Sequence, residues 1–302
     1  MSHGADSAKS IIFALSANGA IAVAKFVAAI ATGSSAMLAE AIHSTADTGN
    51  QILLLIGLRR ARRPPSADYP LGFGKAIYFW SFLVALLLFS LGGLFSIYEG
   101  WHKLSDPQPL QRPWLAVGVL VFAILAESVS MWGCLREVNK VRRGRSLWRW
   151  FRDSRQSELL VVLGEDTAAL LGLAVALVAI LLTMVTGDLR YDSWGTLVIG
   201  VLLVVVAIFV GIEIKALLIG QGVEPDVERA MRDFLNARPE VIGVLNLLTM
   251  QLGDQVMVAI KAQMTDPGSA TLLIEAINRV EVAFRVAFPE TLWLFFEPDH
   301  TD

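Results

Sequence analysis

The chain has 302 residues, of which 55% are hydrophobic and only 18% charged, with a mean hydropathy of +0.57. This composition excludes a disordered chain, a collagen-like chain and, with Cys134 as the single cysteine, a disulfide-stapled scaffold. A net charge of −3 argues against a chain-wide nucleic-acid footprint, and four histidines exclude a histidine-rich metal-buffering tract.

Six hydrophobic runs follow one another, near 11–31, 35–57, 76–98, 114–135, 158–185 and 194–219. Each is close to the roughly 20 apolar residues that span a bilayer core. The second is polar for a spanning helix, with Glu40, His43, Asp47, Asn50 and Gln51, and its place in the series assigns it to the membrane. The first residues, Met-Ser-His-Gly-Ala-Asp-Ser, lack the basic n-region and cleavage site of a secretory signal, so the first helix is expected to stay in the mature protein.

Basic residues set the orientation. The loop after the second run carries Arg59, Arg60, Arg62, Arg63 and Lys75. The loop after the fourth carries Arg136, Lys140, Arg142, Arg143, Arg145, Arg149, Arg152 and Arg155, against Lys103, Arg112 and Arg190 on the opposite side. Both basic loops, and both termini, are expected on the cytoplasmic side. Trp80, Trp101, Trp114, Trp132 and Trp194 lie near run ends, as an aromatic belt requires. Residues 146–152 read as an interfacial helix, tryptophans at the headgroups and arginines toward anionic lipid.

After Gly220 the composition turns polar. Asp226 is expected to cap a helix over 226–236, followed by strands over 241–252 and 255–264, a helix over 271–288 and a strand over 291–296. The fold class is therefore membrane α-helical. Six transmembrane helices (1–220, the transport domain) precede a small cytoplasmic α+β domain (221–302) of order α-β-β-α-β, ferredoxin-like. So small a core favours a second copy as partner.

The informative residues are charges inside the spans: Lys25, Glu40, His43, Asp47, Glu127, Glu165 and Asp166. Each costs about 2.5–3.5 kcal/mol at mid-bilayer on insertion scales, so each must be paired, hydrated or ion-bound. His43 and Asp47, four apart, share one helix face, and Glu40 lies one turn earlier on it. An imidazole and a carboxylate facing inward supply two arms of a tetrahedral metal site. Asp166 of the fifth helix supplies a third, and Glu165 points about 100° away from it. Glu127 is read as a structural residue binding a neighbouring helix through Ser128 or Ser130, with a proton relay as the alternative; Lys25 is read as snorkelling toward an interface, and Glu297, Asp299 and His300 as a solvated tail, with a cation site as the alternative.

Residues 33–47, GSSAMLAEAIHSTAD, resemble the second-helix signature of the cation diffusion facilitator (cation efflux) family. Residues 69–80, YPLGFGKAIYFW, are similar to the loop into its third helix. Residues 163–172, LGEDTAALLG, are similar to the fifth-helix motif of the branch that includes the mitochondrial zinc exporter of animals. The resemblance covers essentially the whole chain. It implies a homodimeric exporter of divalent cations, Zn²⁺ foremost, working by proton exchange through a site between the second and fifth helices. His43 and Asp47 fall on the two second-helix ligand positions and Asp166 on the second fifth-helix position. The first fifth-helix position, usually His or Asp in the family, is Val162 here, which leaves Glu165, Glu40 or water to complete the shell. Tyr69 and Phe295 stand where many members have metal-binding histidines, so a tight cytoplasmic metal cluster is not expected.

The reading is therefore a metal exporter, with the bilayer, divalent ions and protons as partners and no resident cofactor. Zn²⁺ is favoured; Mn²⁺, Fe²⁺, Co²⁺ and Cd²⁺ also suit mixed N/O ligands. The short chain without a targeting extension points to a bacterial inner membrane. A transport-silent partner of a related exporter is the alternative, resting on Val162. An intramembrane enzyme is disfavoured, because no His-Glu-x-x-His helix and no Ser/His or Cys/His arrangement is evident.

Overall fold

The computed structural model describes residues 3–301 except 108, 111 and 143, with side chains from Asn18 onward. Arg143 of the second basic loop and the first two residues thus lie outside the described residues. The chain divides into two compact units. One takes residues 1–56, 80–146 and 158–214; the other takes 57–79, 147–157 and 215–302.

The first unit is a bundle of long helices. These are α1 (His3–Thr32), α2 (Ser35–Ala61), the continuous helix Ala76–Ser105, α5 (Pro113–Val141), α7 (Ser157–Thr186) and α8 (Arg190–Ile219), of which all but α1 and α5 have end residues assigned to the other unit. Within Ala76–Ser105, α3 (Ala76–Leu87) and α4 (Phe95–Ser105) are joined by a π-helical stretch, Leu88–Leu94. Among the described residues, four helices, Ala76–Ser105, Pro113–Val141, Ser157–Thr186 and Arg190–Ile219, are long and apolar enough to cross a membrane by length and composition. α1 contributes the shorter apolar stretch Asn18–Thr32. α2 fails that measure because of its polar residues, which turn inward: Glu40, His43, Asp47 and Asn50 are all buried. The outer surface carries Val27, Phe122, Leu125, Val129, Val178, Val185, Val201 and Ile208, all exposed. An apolar surface of this extent belongs against lipid. Trp101, Trp114, Trp132 and Trp194 are exposed on it as well.

The core of the bundle is packed by Met37, Leu120, Leu173, Ile180, Ile199 and Leu203 among others. The third long helix approaches α8 through glycines. A Cβ on Gly93 would sit 2.6 Å from Val204 Cγ2, and one on Gly200 2.7 Å from the Ile97 backbone nitrogen. Small residues permit that closeness where lipid offers no hydrophobic drive. The α1–α2 turn uses Gly33 at φ +67°. It is pinned by Asp192 at the start of α8, whose Oδ1 accepts from Ser34 Oγ (2.6 Å) and whose Oδ2 accepts from Ser35 N (2.8 Å) and Ser35 Oγ (2.7 Å). The N-terminus of α2 thus takes its capping carboxylate from another helix.

In the second unit, α9 (Pro225–Asn236), β1 (Val241–Leu252), β2 (Gln255–Met264), α10 (Ala270–Ala287) and β3 (Thr291–Pro298) follow the α-β-β-α-β order. The sheet order is β1-β2-β3, with β1 antiparallel and β3 parallel to β2. Alternate residues of β2, from Val256 to Met264, are buried beneath α9 and α10 with Met231, Leu235, Val280 and Phe284. The ring of Phe284 meets Phe234 and Phe288. Glu224, not Asp226, is the N-cap of α9, because Pro225 takes the first helical position, where its missing N–H costs nothing.

The basic segments of this unit make contacts within it. Arg155 donates to the carbonyls of Gly222 (2.6 Å) and Val223 (3.3 Å). The loop at 69–80 docks on the β1–β2 hairpin. Gly253 N donates to Tyr78 Oη at 2.9 Å, and a Cβ on Gly74 would fall 2.0 Å from Leu252 O, so only glycine fits there. In the short helix α6 (Leu147–Asp153), Trp148 is exposed as expected of an interfacial residue, but Trp150 is buried. One helical face holds the indole that points to the surface and the other face is folded into the unit. At the C-terminal end Asp299 pairs with Lys261 at 3.1 Å, while Glu297 is exposed.

Candidate metal transport site

The polar residues of α2 occupy one inward seam. His43 and Asp47 lie one turn apart, with His43 Nδ1 3.5 Å from Asp47 Oδ1. Both imidazole nitrogens and Asp47 Oδ1 are buried without a hydrogen-bond partner. Two ligands of one tetrahedral Zn²⁺, at bond lengths near 2.0–2.2 Å, stand roughly 3.3–3.5 Å apart. The observed 3.5 Å falls at the upper end of that spacing. Leaving such groups buried and unpaired is costly for a merely structural helix contact.

On the facing helix α7 the two acidic neighbours part company, as a 100° offset requires. Glu165 turns to α2, where its Oε1 accepts from Asn50 Nδ2 at 2.6 Å. Its charge is the foremost of those acting on Asp47. Asp166 turns to α5, where Ser130 Oγ lies 3.3 Å from its Oδ2 and 3.4 Å from its Oδ1. The structure thus brings Glu165, Asn50 and Asp47 together and sets Asp166 beside Ser130. Among the described residues, no group of three His, Cys, Asp or Glu side chains is close enough to hold a metal ion.

Glu40 is engaged elsewhere: its Oε2 lies 3.3 Å from Lys25 Nζ, and both side chains are fully buried. Lys25 therefore does not snorkel. Its ammonium is held inside the bundle by Glu40 and by Ser44 Oγ at 2.6 Å. Glu127 of α5 is also buried, and its charge acts on Glu40, Asp47, Glu165 and Asp166 alike. Ser128 does not serve it, since its hydroxyl donates to Ile124 O within the helix. Lys25, Asn50 and Glu127 are the members of this seam whose part the sequence understated. The signal for Asn50 was available, one turn beyond Asp47 on the same face.

Residues 11–219 match the family model for the cation efflux transmembrane domain. The chain belongs to the cation efflux family. It is similar to the mouse "Proton-coupled zinc antiporter SLC30A9, mitochondrial", with 33% identity over 250 residues covering 81% of this chain and 44% of that protein. It is similar also to "Metal tolerance protein C4" of Arabidopsis thaliana, with 32% identity over 208 residues covering 68% of this chain and 46% of that protein. A third relative is the "Cation-efflux pump FieF" of Yersinia pestis, with 25% identity over 260 residues covering 85% and 81%. The chain spans less than half the length of the first two. Family and apolar helices together make it an integral membrane protein, grouped with transporters and not with enzymes.

Proposed function

We propose that this cation efflux family member exports a divalent metal cation, Zn²⁺ foremost, in exchange for protons, through a site between α2 and α7. The observation that carries the reading is the His43–Asp47 pair: buried, without hydrogen-bond partners, and 3.5 Å apart inside an apolar bundle. Glu165, held toward α2 by Asn50, is a further carboxylate from the facing helix, with Asp166 next to it in sequence on α7. Closing these around an ion requires α7 to shift against α2, which is the kind of movement that turns a site from one side to the other. Metal binding needs deprotonated ligands, so ion and proton compete for the same groups. The names of the mouse and Yersinia relatives support this reading.

In the same reading, 1–220 is the transport domain and 221–302 a cytoplasmic domain through which two copies pair. The membrane is a bacterial inner membrane or its mitochondrial equivalent, with both termini on the basic-loop side.

The test is metal flux in proteoliposomes with an imposed pH gradient, comparing wild type with Asp47→Ala for Zn²⁺, Mn²⁺, Fe²⁺ and Cd²⁺. Gradient-dependent flux that disappears in Asp47→Ala is expected. Near-normal flux by the variant would overturn the site. A transport-silent partner role draws on one observation, Val162 at a ligand position of α7; absence of flux for every ion from well-folded wild type would turn the reading to it.

A further inference from the structure

Lys25 is the least expected side chain in the bundle. It sits on α1, fully buried, and its nitrogen contacts Glu40 Oε2 at 3.3 Å and Ser44 Oγ at 2.6 Å, both on α2. Two of its three donors are thereby committed to one turn of α2. The other oxygen of Glu40 has no hydrogen-bond partner. α7 closes against that oxygen with a glycine: a Cβ on Gly172 would lie 2.5 Å from Glu40 Oε1. The pair therefore lies where α1, α2 and α7 meet, one turn from His43 and two from Asp47.

The charge balance of this seam is uneven. Glu40, Asp47, Glu127, Glu165 and Asp166 are all buried carboxyl groups. Among the described residues, Lys25 is the one buried lysine or arginine. A buried ion pair that only joined two helices would be replaceable by apolar residues at little loss. A fixed positive charge beside a row of carboxylates has a further effect: it offsets their mutual repulsion, and it opposes the entry of another cation.

We propose that Lys25 is a tethered counter-cation of the transport site, balancing its carboxylates when no metal is bound and weakening metal binding enough for the ion to leave. This rests on the site proposed above. Charge removal then has a sign. Lys25→Gln takes away a positive charge and tightens binding. Glu40→Gln takes away a negative charge, leaves the ammonium unbalanced and weakens binding. The double variant restores the balance.

The experiment measures Zn²⁺ and Cd²⁺ affinity of the full chain in nanodiscs by competition with a fluorescent chelator, together with flux in proteoliposomes. Asp47→Ala defines the binding that belongs to the site. Two helical turns apart, about 11 Å, one unit charge acts on another by about tenfold at an effective dielectric near 20, and a divalent ion or a shorter separation enlarges this, so about tenfold is the least change expected. Dissociation constants are therefore expected to fall at least about tenfold in Lys25→Gln, to rise at least about tenfold in Glu40→Gln, and to return to within about threefold of wild type in the double variant. Flux at saturating metal falls in Lys25→Gln, because release slows, and recovers in the double variant. Affinity that weakens in both single variants without recovery in the double, or that is unchanged in all three, overturns the proposal. If Lys25→Gln yields no monodisperse protein, the double variant must still bind about tenfold tighter than Glu40→Gln. Zn²⁺ binding that is unchanged in Asp47→Ala overturns the transport site itself, separately from the role of Lys25.

Discussion

The two units of this chain bury different things. The C-terminal domain buries Met231, Leu235, Val258, Ile260, Val280 and Phe284 and keeps its charges outside. The helical bundle does the reverse along one seam, exposing aliphatic side chains and burying Lys25, Glu40, His43, Asp47, Glu127, Glu165 and Asp166. Water decides the first pattern and lipid the second. In water, apolar burial is the main stabilising term; in lipid the outer face gains nothing by turning in, and the interior is free to hold polar groups that satisfy one another. A core of the first kind reports on stability, and a seam of the second kind reports on function.

Substitutions sharpen that contrast. The largest effect is expected from Asp47→Ala, which should cut pH-driven flux by at least about 100-fold while size-exclusion behaviour stays that of wild type. Loss of folding instead would make Asp47 a structural residue and erase the distinction. Next comes Phe284→Ala, which removes the ring packed on Phe234 and Phe288. It should lower the unfolding free energy of the C-terminal domain by about 3–5 kcal/mol, read by hydrogen exchange in α10, with Zn²⁺ affinity of the bundle retained. Asp192→Ala leaves Ser34 and Ser35 without their acceptor and should destabilise the bundle by about 1–3 kcal/mol, seen as a lower thermal midpoint in detergent. Asn50→Ala frees Glu165 and should weaken Zn²⁺ binding by roughly tenfold without changing that midpoint by more than a degree or two.

The smallest effect lies on the domain surface. The backbone N–H of His300, followed by the Lys261 ammonium, holds the exposed Asp299 carboxyl below the usual aspartate range. A depressed folded value means a contribution complete above the unfolded pKa, about 3.9, and lost as pH falls through the folded one. Lys261→Met should therefore raise the Asp299 titration seen by NMR without bringing it to the ordinary value, because the His300 contact remains. Stability at neutral pH should hardly change, as befits an exposed pair.

Much of this was legible from local pattern. Hydrophobic runs located the helices, alternation located β1 and β2 at the residues observed, and the four-residue spacing put His43 and Asp47 on one face. Periodicity tells which face of an element is special but not which face of another element meets it. Lys25 finds Glu40 across the Gly33 turn, and Asn50 finds Glu165 115 positions along the chain. Neither partnership has a local signature. Nor does the choice between Glu165 and Asp166 for α2, which depends on the rotation of α7 about its own axis. Trp150 was misplaced for a similar reason: a seven-residue helix has too few turns to declare its inner face.

The carboxylate of Asp192 ties the first turn of α2 to the first turn of α8. A tie at one end of a rod makes a fulcrum there and leaves the far end the greater travel. Along α2, His43 lies roughly 12 Å from Ser35 and Asp47 roughly 18 Å, at 1.5 Å per residue. A tilt of about 5° about that point carries Asp47 roughly 1.6 Å and Ser35 hardly at all. A displacement of that size is more than a coordinate bond tolerates, so the reach of the rod beyond its anchor is enough to make or unmake a bond at the proposed site without unpacking the turn that holds it.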